Sequence, residues 1–333
     1  MRGPEGLSSD PLVTVVTPTL ERRERLAHTL KSVAFQTYPN IEHIVVDGGS
    51  TDGTRQMLEE WEREQGVRWI SEPDEGIYDA VNKGFDMANG TVFCYLNSDD
   101  LFFPWSVAVA VDALRSVDLI YGDAVILREE LGALQFALAR PDLACRPELS
   151  TIRQPAAFWT RALHESLRDF RGDKYSLRAD HDFWIRAIEA GFKLRKMREA
   201  LAAIGDHAGT ANRVAQDQMT VERQALREEW THGRFGHGGT AWMVTNRLKL
   251  LYRRELLGIV WNSALPQPRN WVHFIRHLRT KGLTVNLPGT LFSLIPMRWW
   301  PQLGGPWPNI GDRSFYSSGA LLDFVSGPRE DAG

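Results

Sequence analysis

The chain has 333 residues, a formal net charge of −3, 43% hydrophobic and 24% charged residues, a composition that excludes a disordered chain. No apolar run reaches the roughly 20 residues that a membrane-spanning helix needs, and the first dozen residues lack the apolar core of a signal peptide. Two cysteines, Cys94 and Cys145, are too few for a disulfide framework, so a reducing, cytoplasmic location is expected.

The N-terminal half alternates β-branched runs with helical patterns, which is typical of βαβ units around a mostly parallel sheet. The predicted strands are residues 13–17, 41–46, 67–71, 91–96 and 119–121, and Pro18 is expected to end the first. The predicted helices are residues 26–34, 54–64, 77–87, 105–115 and 180–190. Extended segments up to about residue 139 are expected to add to this sheet.

Acidic residues follow three of the predicted strands. Asp47 comes directly after the second strand, Asp74 follows the third, and Asp99 and Asp100 follow the fourth. Because the carboxyl ends of parallel strands gather at one edge of an open sheet, we expect these carboxylates to lie near one another. The sequence therefore predicts a polar ligand site at that edge.

The Asp99–Asp100 pair is the clearest candidate for chemistry. Two carboxylates at the end of a buried strand are unfavourable unless a cation or hydrogen bonds compensate them, and Mg²⁺ or Mn²⁺ that also binds phosphate oxygens would do so. Such a metal would stabilise a departing nucleoside diphosphate. The alternative is a turn whose acids cap the helix near Pro104.

Asp47 has a similar pair of interpretations. On a rigid strand end, with glycines beside it, its carboxylate could accept hydrogen bonds from a nucleobase or ribose. It could instead cap the helix that opens near Thr54. The glycine-rich run 48–53 lacks the Gly-Lys-Ser/Thr ending of a phosphate loop, and its acidic residues exclude a dinucleotide fingerprint.

Four blocks of the sequence, taken together, resemble the family 2 glycosyltransferases of the GT-A fold in order and spacing. They are residues 15–19 (VVTPT), 44–54 (IVVDGGSTDGT), 71–84 (SEPDEGIYDAVNKG) and 96–100 (LNSDD). The resemblance is strong over residues 13–125 and moderate to about residue 210. It implies an α/β GT-A domain over residues 1–235 that transfers a sugar from a nucleoside diphosphate donor to a hydroxyl of a glycan or lipid-linked glycan, with inversion, in cell-surface polysaccharide synthesis.

The resemblance also implies roles for individual residues. Donor binding falls to residues at the strand ends and to a lysine near phosphate: Thr17, Pro18, Thr19, Glu21, Asp47, Gly49, Asp74, Lys83 and Asp99. Metal binding falls to Asp99 and Asp100, of which the second is usually the direct ligand, and to His207 on a later loop. Gln154 is a candidate acceptor contact, with a buried structural role as the alternative.

The catalytic base is expected in the block 179–186 (ADHDFWIR). An inverting transfer needs one carboxylate to take the proton of the acceptor hydroxyl. The resemblance assigns this role to Asp180. Ala179 replaces the usual glutamate of the block, which leaves Asp182 open as an alternative base, and both acids could merely favour the start of a helix.

The C-terminal region, residues 236–333, is predicted to be a helical extension after a glycine-rich hinge at 233–239. Between residues 240 and 300 it has nine Arg and Lys against one acid, a surplus of eight positive charges, interleaved with Trp and Leu. This pattern suits peripheral attachment to the anionic inner face of the plasma membrane. A solvated basic face or a dimer interface is the alternative, the oligomeric state is open, and no nucleic-acid-binding motif accompanies the charge.

Two other functions are weighed against glycosyl transfer. A sugar-1-phosphate nucleotidyltransferase would also use a glycine-rich turn and acidic metal ligands, but with a basic phosphate loop near the N-terminus. A non-catalytic protein that binds nucleotide sugars would keep the pocket without a base.

Overall fold

The structure is a computed structural model that describes residues 7–128, 133–137, 139, 145–146, 149–210 and 214–230. The predicted hinge and C-terminal extension lie outside these residues, so the division of the chain at residue 235 stays a prediction. The strands are β1 (Val13–Thr19), β2 (Ile41–Asp47), β3 (Arg68–Ser71), β4 (Val92–Tyr95), β5 (Leu101–Phe102), β6 (Leu119–Arg128), β7 (Ala133–Ala137), β8 (Cys145–Arg146), β9 (Leu149–Ser150), β10 (Ala157–Thr160) and β11 (Leu194–Asp206). The helices are α1 (Arg23–Ala34), α2 (Thr54–Gln65), α3 (Ile77–Asp86), α4 (Ser106–Leu114), α5 (Arg161–Leu167), α6 (Ala179–Glu189) and α7 (Gln216–Trp230), with a 3-10 turn at Gln154–Ala156. Among these helices none is long and apolar enough to span a membrane.

One nine-stranded sheet has the order β3-β2-β1-β4-β10-β6-β11-β5, with β7 paired to β6. The strands β1, β2, β3 and β4 run parallel, and so do β6 and β11. Strand β10 is antiparallel to both β4 and β6, and β5 is antiparallel to β11. The mostly parallel α/β sheet that the sequence predicts is confirmed.

Strand β2 shows how the helices cover both faces of the sheet. Val45 packs with Leu26 of α1 and Leu58 of α2, whereas Ile44 and Val46 pack with α3 on the opposite face. Successive side chains of a strand point to opposite faces, so an all-apolar strand needs an apolar layer on each side. The result is a three-layer arrangement whose loops at the carboxyl ends of β1 to β4 share one edge.

Pro18 does not end β1, contrary to the sequence prediction. The strand runs to Thr19, and its pairing with β2 includes Pro18 beside Val46. Pairing with β4 on the other side stops at Val16. Proline lacks an N–H and is tolerated where a strand is open on one side. The extra residues carry the chain further into the edge where the acidic loops meet.

The chain after Leu101 departs most from expectation. Strand β6 continues past residue 121 to Arg128 and pairs with β11 and β7, so the extended segments expected up to about residue 139 do add to the sheet. Strands β10 and β11 and helices α5 and α7 were not predicted. All four residues of β10 are buried. Such a short strand in the middle of a sheet shows none of the alternation that marks a half-exposed strand.

An aromatic cluster fixes α6 against the sheet. Phe183 of α6 stacks on Phe170 with ring centroids 4.5 Å apart and lies 5.7 Å from Trp159 of β10. Phe85 of α3 stacks on Phe93 of β4 at 5.1 Å. Aromatic pairs at these separations add to the free energy gained by burial. Packing thereby determines where the first turn of α6, with its two acids, is placed.

Gly84 lets α3 lie directly on β1, and we expect Gly84→Ala to destabilise the fold. A Cβ at this position would be 2.3 Å from Cγ1 of Val16. Overpacking of this kind costs about 1–3 kcal/mol, more than the about 1 kcal/mol that alanine gains over glycine in a helix. Urea unfolding of the variant checks this expectation.

The double variant with Val16→Ala is the control for the Gly84 prediction. Val16→Ala removes the methyl groups that would clash with a Cβ at position 84. The double variant should therefore lose less free energy of unfolding than the sum of the losses in the two single variants. A Gly84→Ala protein as stable as the wild type would show that α3 does not press on β1.

Candidate active site

Asp47 is fully buried at the end of β2, where it organises the glycine-rich turn. Its carboxylate accepts hydrogen bonds from Ser50 N at 3.0 Å and from the hydroxyls of Ser50 and Ser71 at 2.5 and 2.7 Å. The turn after β2 is thus joined to the end of β3. Capping of α2, the alternative role for Asp47, is not seen, because Thr54 N at the start of this helix donates to Asp52 at 3.0 Å.

Asp74 lies against the backbone of the glycine turn. A Cβ on Gly48 would be 2.6 Å from Oδ2 of Asp74, so a larger residue at this position would displace the Asp74 side chain. Gly49 has a φ of 92°, in the left-handed region that favours glycine. Asp74 is partly exposed and accepts a hydrogen bond from Gly76 N at 2.9 Å. The loops after β2 and β3 therefore do meet, as the parallel sheet predicts.

The end of β1 lines the same edge. Thr17, Pro18 and Thr19 are buried, and Oγ1 of Thr17 lies 2.8 Å from Nε2 of His43. Burial lowers the pKa of His43 to about 3, so this imidazole is neutral. Glu21 is exposed and accepts hydrogen bonds from the N–H and hydroxyl of Thr51 at 2.7 and 3.0 Å.

Lys83 forms ion pairs with neighbouring acidic residues. Its Nζ lies 3.0 Å from Glu72 and 3.1 Å from Asp79, and it donates to the carbonyl of Pro73 at 3.1 Å. Hydrogen bonds to Glu72 and Asp79 raise the pKa of Lys83 above its ordinary value. In this arrangement the lysine fastens the loop before α3, and contact with a phosphate stays a prediction.

Asp99 lies beside side chains from two distant parts of the chain. Its Oδ2 accepts a hydrogen bond from Arg22 Nη1 at 2.5 Å and lies 3.0 Å from His207 Nε2. Arg22 also donates to the carbonyl of Gly209 at 3.1 Å. The structure thus brings together two of the three predicted metal ligands, Asp99 and His207, and it adds the guanidinium of Arg22, which the sequence did not place there.

Asp100 has hydrogen-bond partners different from those of Asp99. It is 3% exposed, and its carboxylate accepts hydrogen bonds from Gly205 N at 3.1 Å and Asn97 Nδ2 at 3.2 Å. Burial and the nearby charge of Asp99 raise the pKa of Asp100 well above its ordinary value. No three His, Cys, Asp or Glu side chains converge as a metal site in the described part of the chain.

The donor set at Asp99 is nevertheless compatible with a divalent cation. Mg²⁺ is commonly held through one or two carboxylates together with substrate phosphates rather than by a complete protein cage. Carboxylate and imidazole atoms converge at Asp99 and His207, and a protein cation is already drawn to the same carboxylate oxygen. These residues therefore fit a metal that arrives with a phosphate-bearing substrate.

Gln154 lies behind the acidic loop. It is buried, donates to the carbonyl of Tyr95 at 2.5 Å, and its Oε1 is 3.5 Å from Asn97 Nδ2. These contacts match the structural role that was weighed for it, and contact with an acceptor stays a prediction.

Asp180 and Asp182, two residues apart in α6, have contrasting environments. Asp182 is fully buried and pairs with Arg171 and, at 2.8 Å, with Arg186. Trp230 Nε1 donates to it at 3.3 Å. Asp180 is partly exposed. The burial of its carboxyl group raises the pKa of Asp180 above the ordinary value. A general base needs a carboxylate oxygen that is free to receive a proton, so the geometry favours Asp180 over Asp182.

Tyr78 and Arg22 are the site residues that sequence reasoning did not single out. Tyr78 donates a hydrogen bond to Oδ1 of Asp180 at 3.0 Å, across 102 residues of sequence. Both residues lie within or next to the motif blocks, and this position in the sequence was the one feature that could have indicated a role in the site. Their partners are set by tertiary structure, so the motifs alone could not reveal them.

Comparisons with known sequences identify the family. The model of Glycosyl transferase family 2 matches residues 14–134. A PGL/p-HBAD biosynthesis glycosyltransferase of Mycobacterium bovis is 30% identical over 216 residues, which cover 63% of this chain and 82% of that protein.

Solved structures show the same fold. S. aureus TarS 1–349 in complex with UDP-GlcNAc superposes with a TM-score of 0.51 at 18% identity, over 68% of this chain and 69% of that chain. This chain covers 41% of the longer TarS chain. The mannosyltransferase PcManGT from Pyrobaculum calidifontis, in complex with GDP-Man and Mn²⁺, gives a TM-score of 0.51 at 18% identity over 88% and 84% of the two chains.

These similarities leave the nucleotidyltransferase and non-catalytic alternatives without support. The chain belongs to glycosyltransferase family 2, and it is a glycosyltransferase with the GT-A fold.

Proposed function

We propose that the protein transfers a sugar from a nucleoside diphosphate donor to a hydroxyl of a glycan or lipid-linked glycan, with inversion at the anomeric carbon. The observation that carries the proposal is the contrast within α6. Asp182 is neutralised by two arginines, whereas Asp180 keeps one carboxylate oxygen free of hydrogen bonds from the described residues. One free carboxylate is the group that an inverting transfer requires.

The donor is proposed to lie over the loops at the carboxyl ends of β1 to β4. Thr17, Pro18, Thr19 and Glu21 would form one wall, and the turn of Asp47 and Gly49 with Asp74 the other. The fixed contacts within these loops support this placement, because preorganised polar loops at such an edge are where open α/β sheets bind ligands. The neighbours TarS and PcManGT have UDP-GlcNAc and GDP-Man as their ligands.

A divalent metal, Mg²⁺ or Mn²⁺, is proposed at Asp99 and His207, with Asp100 supporting this loop from behind. When bound, it would stabilise negative charge on the departing diphosphate. The convergence of Asp99 and His207 supports the site, and the neighbour PcManGT was solved with Mn²⁺. Arg22 would have to leave Oδ2 of Asp99 for a metal to bind there.

The acceptor is proposed to approach from the side of α6 and Gln154. The M. bovis relative is named a PGL/p-HBAD biosynthesis glycosyltransferase, which supports an acceptor that is an intermediate of a biosynthetic route. Attachment of residues 236–333 to an anionic membrane surface on the cytoplasmic side remains part of the proposal.

Thermal unfolding with metal and nucleotide tests the donor site. With Mn²⁺ and UDP, GDP or dTDP and their sugars at saturating concentration, the cognate nucleotide should raise Tm by about 5–10 °C, because binding near 100 times Kd stabilises by about 2.7 kcal/mol. The shift should require Mn²⁺ and should be lost in Asp99→Ala, which removes the carboxylate nearest His207.

Asp112→Ala is the matched control, since Asp112 is an exposed acid on α4 and is not one of the residues assigned to the donor or metal site. It should keep the full shift. A folded wild-type protein that shows no shift with any of these nucleotides would overturn the proposed donor site. An unchanged shift in Asp99→Ala would overturn the metal assignment alone.

A further inference from the structure

The two oxygens of the Asp180 carboxylate have different environments. Oδ1 accepts a hydrogen bond from the Tyr78 hydroxyl at 3.0 Å and another from His181 N at 2.7 Å. No hydrogen bond from another of the described residues reaches Oδ2. The carboxylate is thus held by one oxygen and open at the other.

Tyr78 is held rigidly for this contact. Its side chain is 5% exposed, and its ring stacks on Phe170 at 5.7 Å and meets Tyr95 edge to face at 6.5 Å. The backbone of Gly172 covers its other end, since a Cβ there would lie 2.8 Å from Cβ of Tyr78. The phenol oxygen is therefore fixed in place before any substrate binds.

We propose that Tyr78 is a positioning residue that orients Asp180 so that Oδ2 receives the proton of the acceptor hydroxyl. The proposal rests on the proposed function of Asp180 as the base. In the transfer, the acceptor oxygen bonds to the anomeric carbon as its O–H proton passes to Oδ2. The bond from that carbon to the phosphate oxygen breaks, and its electron pair leaves with the nucleoside diphosphate. Asp180 then returns the proton to water.

The groups around Asp180 determine the direction of its titration. Burial raises its pKa, while the hydrogen bonds from His181 N and the Tyr78 hydroxyl and the charge of Arg178 lower it. Burial raises the pKa of Tyr95 on β4 and of Cys145 on β8, and the charge of Asp180 adds to both shifts. Loss of the Tyr78 hydroxyl would remove a donor that favours the charged carboxylate, so the pKa of Asp180 would rise further.

Tyr78→Phe tests this inference by a readout that does not need turnover. In protein labelled with ¹³C at the aspartate carboxyl groups, the Asp180 signal is assigned by its absence in Asp180→Asn. We expect this signal to titrate about one pH unit higher in Tyr78→Phe, because a hydrogen bond to a charged group is lost. With the donor identified by thermal unfolding, kcat should fall about tenfold while the donor KM changes little, and the acidic limb of the pH profile should move to higher pH.

Tyr38→Phe is the matched control. Tyr38 donates to the carbonyl of Pro11 at 2.7 Å, far along the chain from α6, and its loss should leave the Asp180 titration and the pH profile unchanged. An Asp180 signal that titrates at the same pH in Tyr78→Phe and wild type overturns the role of Tyr78. Full activity in Asp180→Asn instead overturns the assignment of the base, so the two failures are distinguishable.

Discussion

Asp180→Asn is expected to lower kcat by about 10²–10⁴-fold, the usual contribution of a general base. Asparagine has the same shape, and its carbonyl oxygen can still accept the hydrogen bonds that Tyr78 and His181 donate to Oδ1. The group opposite that oxygen becomes an NH₂, which cannot take a proton. Steady-state kinetics at fixed donor and varied acceptor measure the loss.

Measurement of donor binding by Asp180→Asn distinguishes loss of the catalytic base from disruption of the donor site. The Asp180→Asn protein should keep the Tm of the wild type and the metal-dependent shift with the cognate nucleotide. Product from the wild-type enzyme should have the anomeric configuration opposite to the donor, as proton NMR of the first turnovers can show. Retention of configuration would sink the proposed single-step displacement.

Asp182→Ala is expected to act on stability rather than on chemistry. Asp182 has no exposed side-chain surface, and its carboxylate raises the pKa of Arg171 and pairs with Arg186. Arg171 would keep its pair with Glu229, but the largely buried Arg186 would lose its pair with Asp182, and removing one partner of a buried ion pair costs about 3–5 kcal/mol. Urea unfolding should show a loss of this size, and any activity that survives at low temperature should keep the pH profile of the wild type.

Glu165→Ala is the control for Asp182→Ala, because each acid pairs with an arginine four residues away in its own helix. Glu165 pairs with Arg161 four residues away, as Asp182 does with Arg186, but the Glu165 side chain is 63% exposed. An exposed pair of this kind is worth about 0.5 kcal/mol or less, so this variant should unfold near the wild type. If the two variants were equally stable, burial would not be the reason for the importance of Asp182.

The N-terminal half of the fold was predictable because its signals are local. Apolar strands such as residues 44–46 are followed by glycine turns and helical repeats, and the carboxyl ends of parallel strands meet at one edge by geometry alone. The second half was not predictable in the same way. Strand β10 is short and wholly buried, and the contacts that define it come from distant parts of the chain.

In the candidate site, too, the features set by local sequence could be predicted and those set by distant contacts could not. Asp47, Asp74 and Asp99 could be placed from their strands, but their partners could not. The hydrogen bond of Tyr78 to Asp180 and the contact of Arg22 with Asp99 span 102 and 77 residues. A single sequence has no periodicity that relates such positions. The choice between Asp180 and Asp182 needed the tertiary structure, because both lie in the same helical turn.

Helix α3 has consequences for how the chain tolerates insertions. Tyr78 near its start reaches Asp180, whereas Gly84 near its end rests on Val16. An α-helix rotates by about 100° and rises by about 1.5 Å per residue. One residue added between these positions would turn Tyr78 away from α6 or drive a side chain into β1. The spacing between Tyr78 and Gly84 is thus a structural requirement of the site. Insertions in natural variants should therefore fall in loops rather than between these two residues of α3.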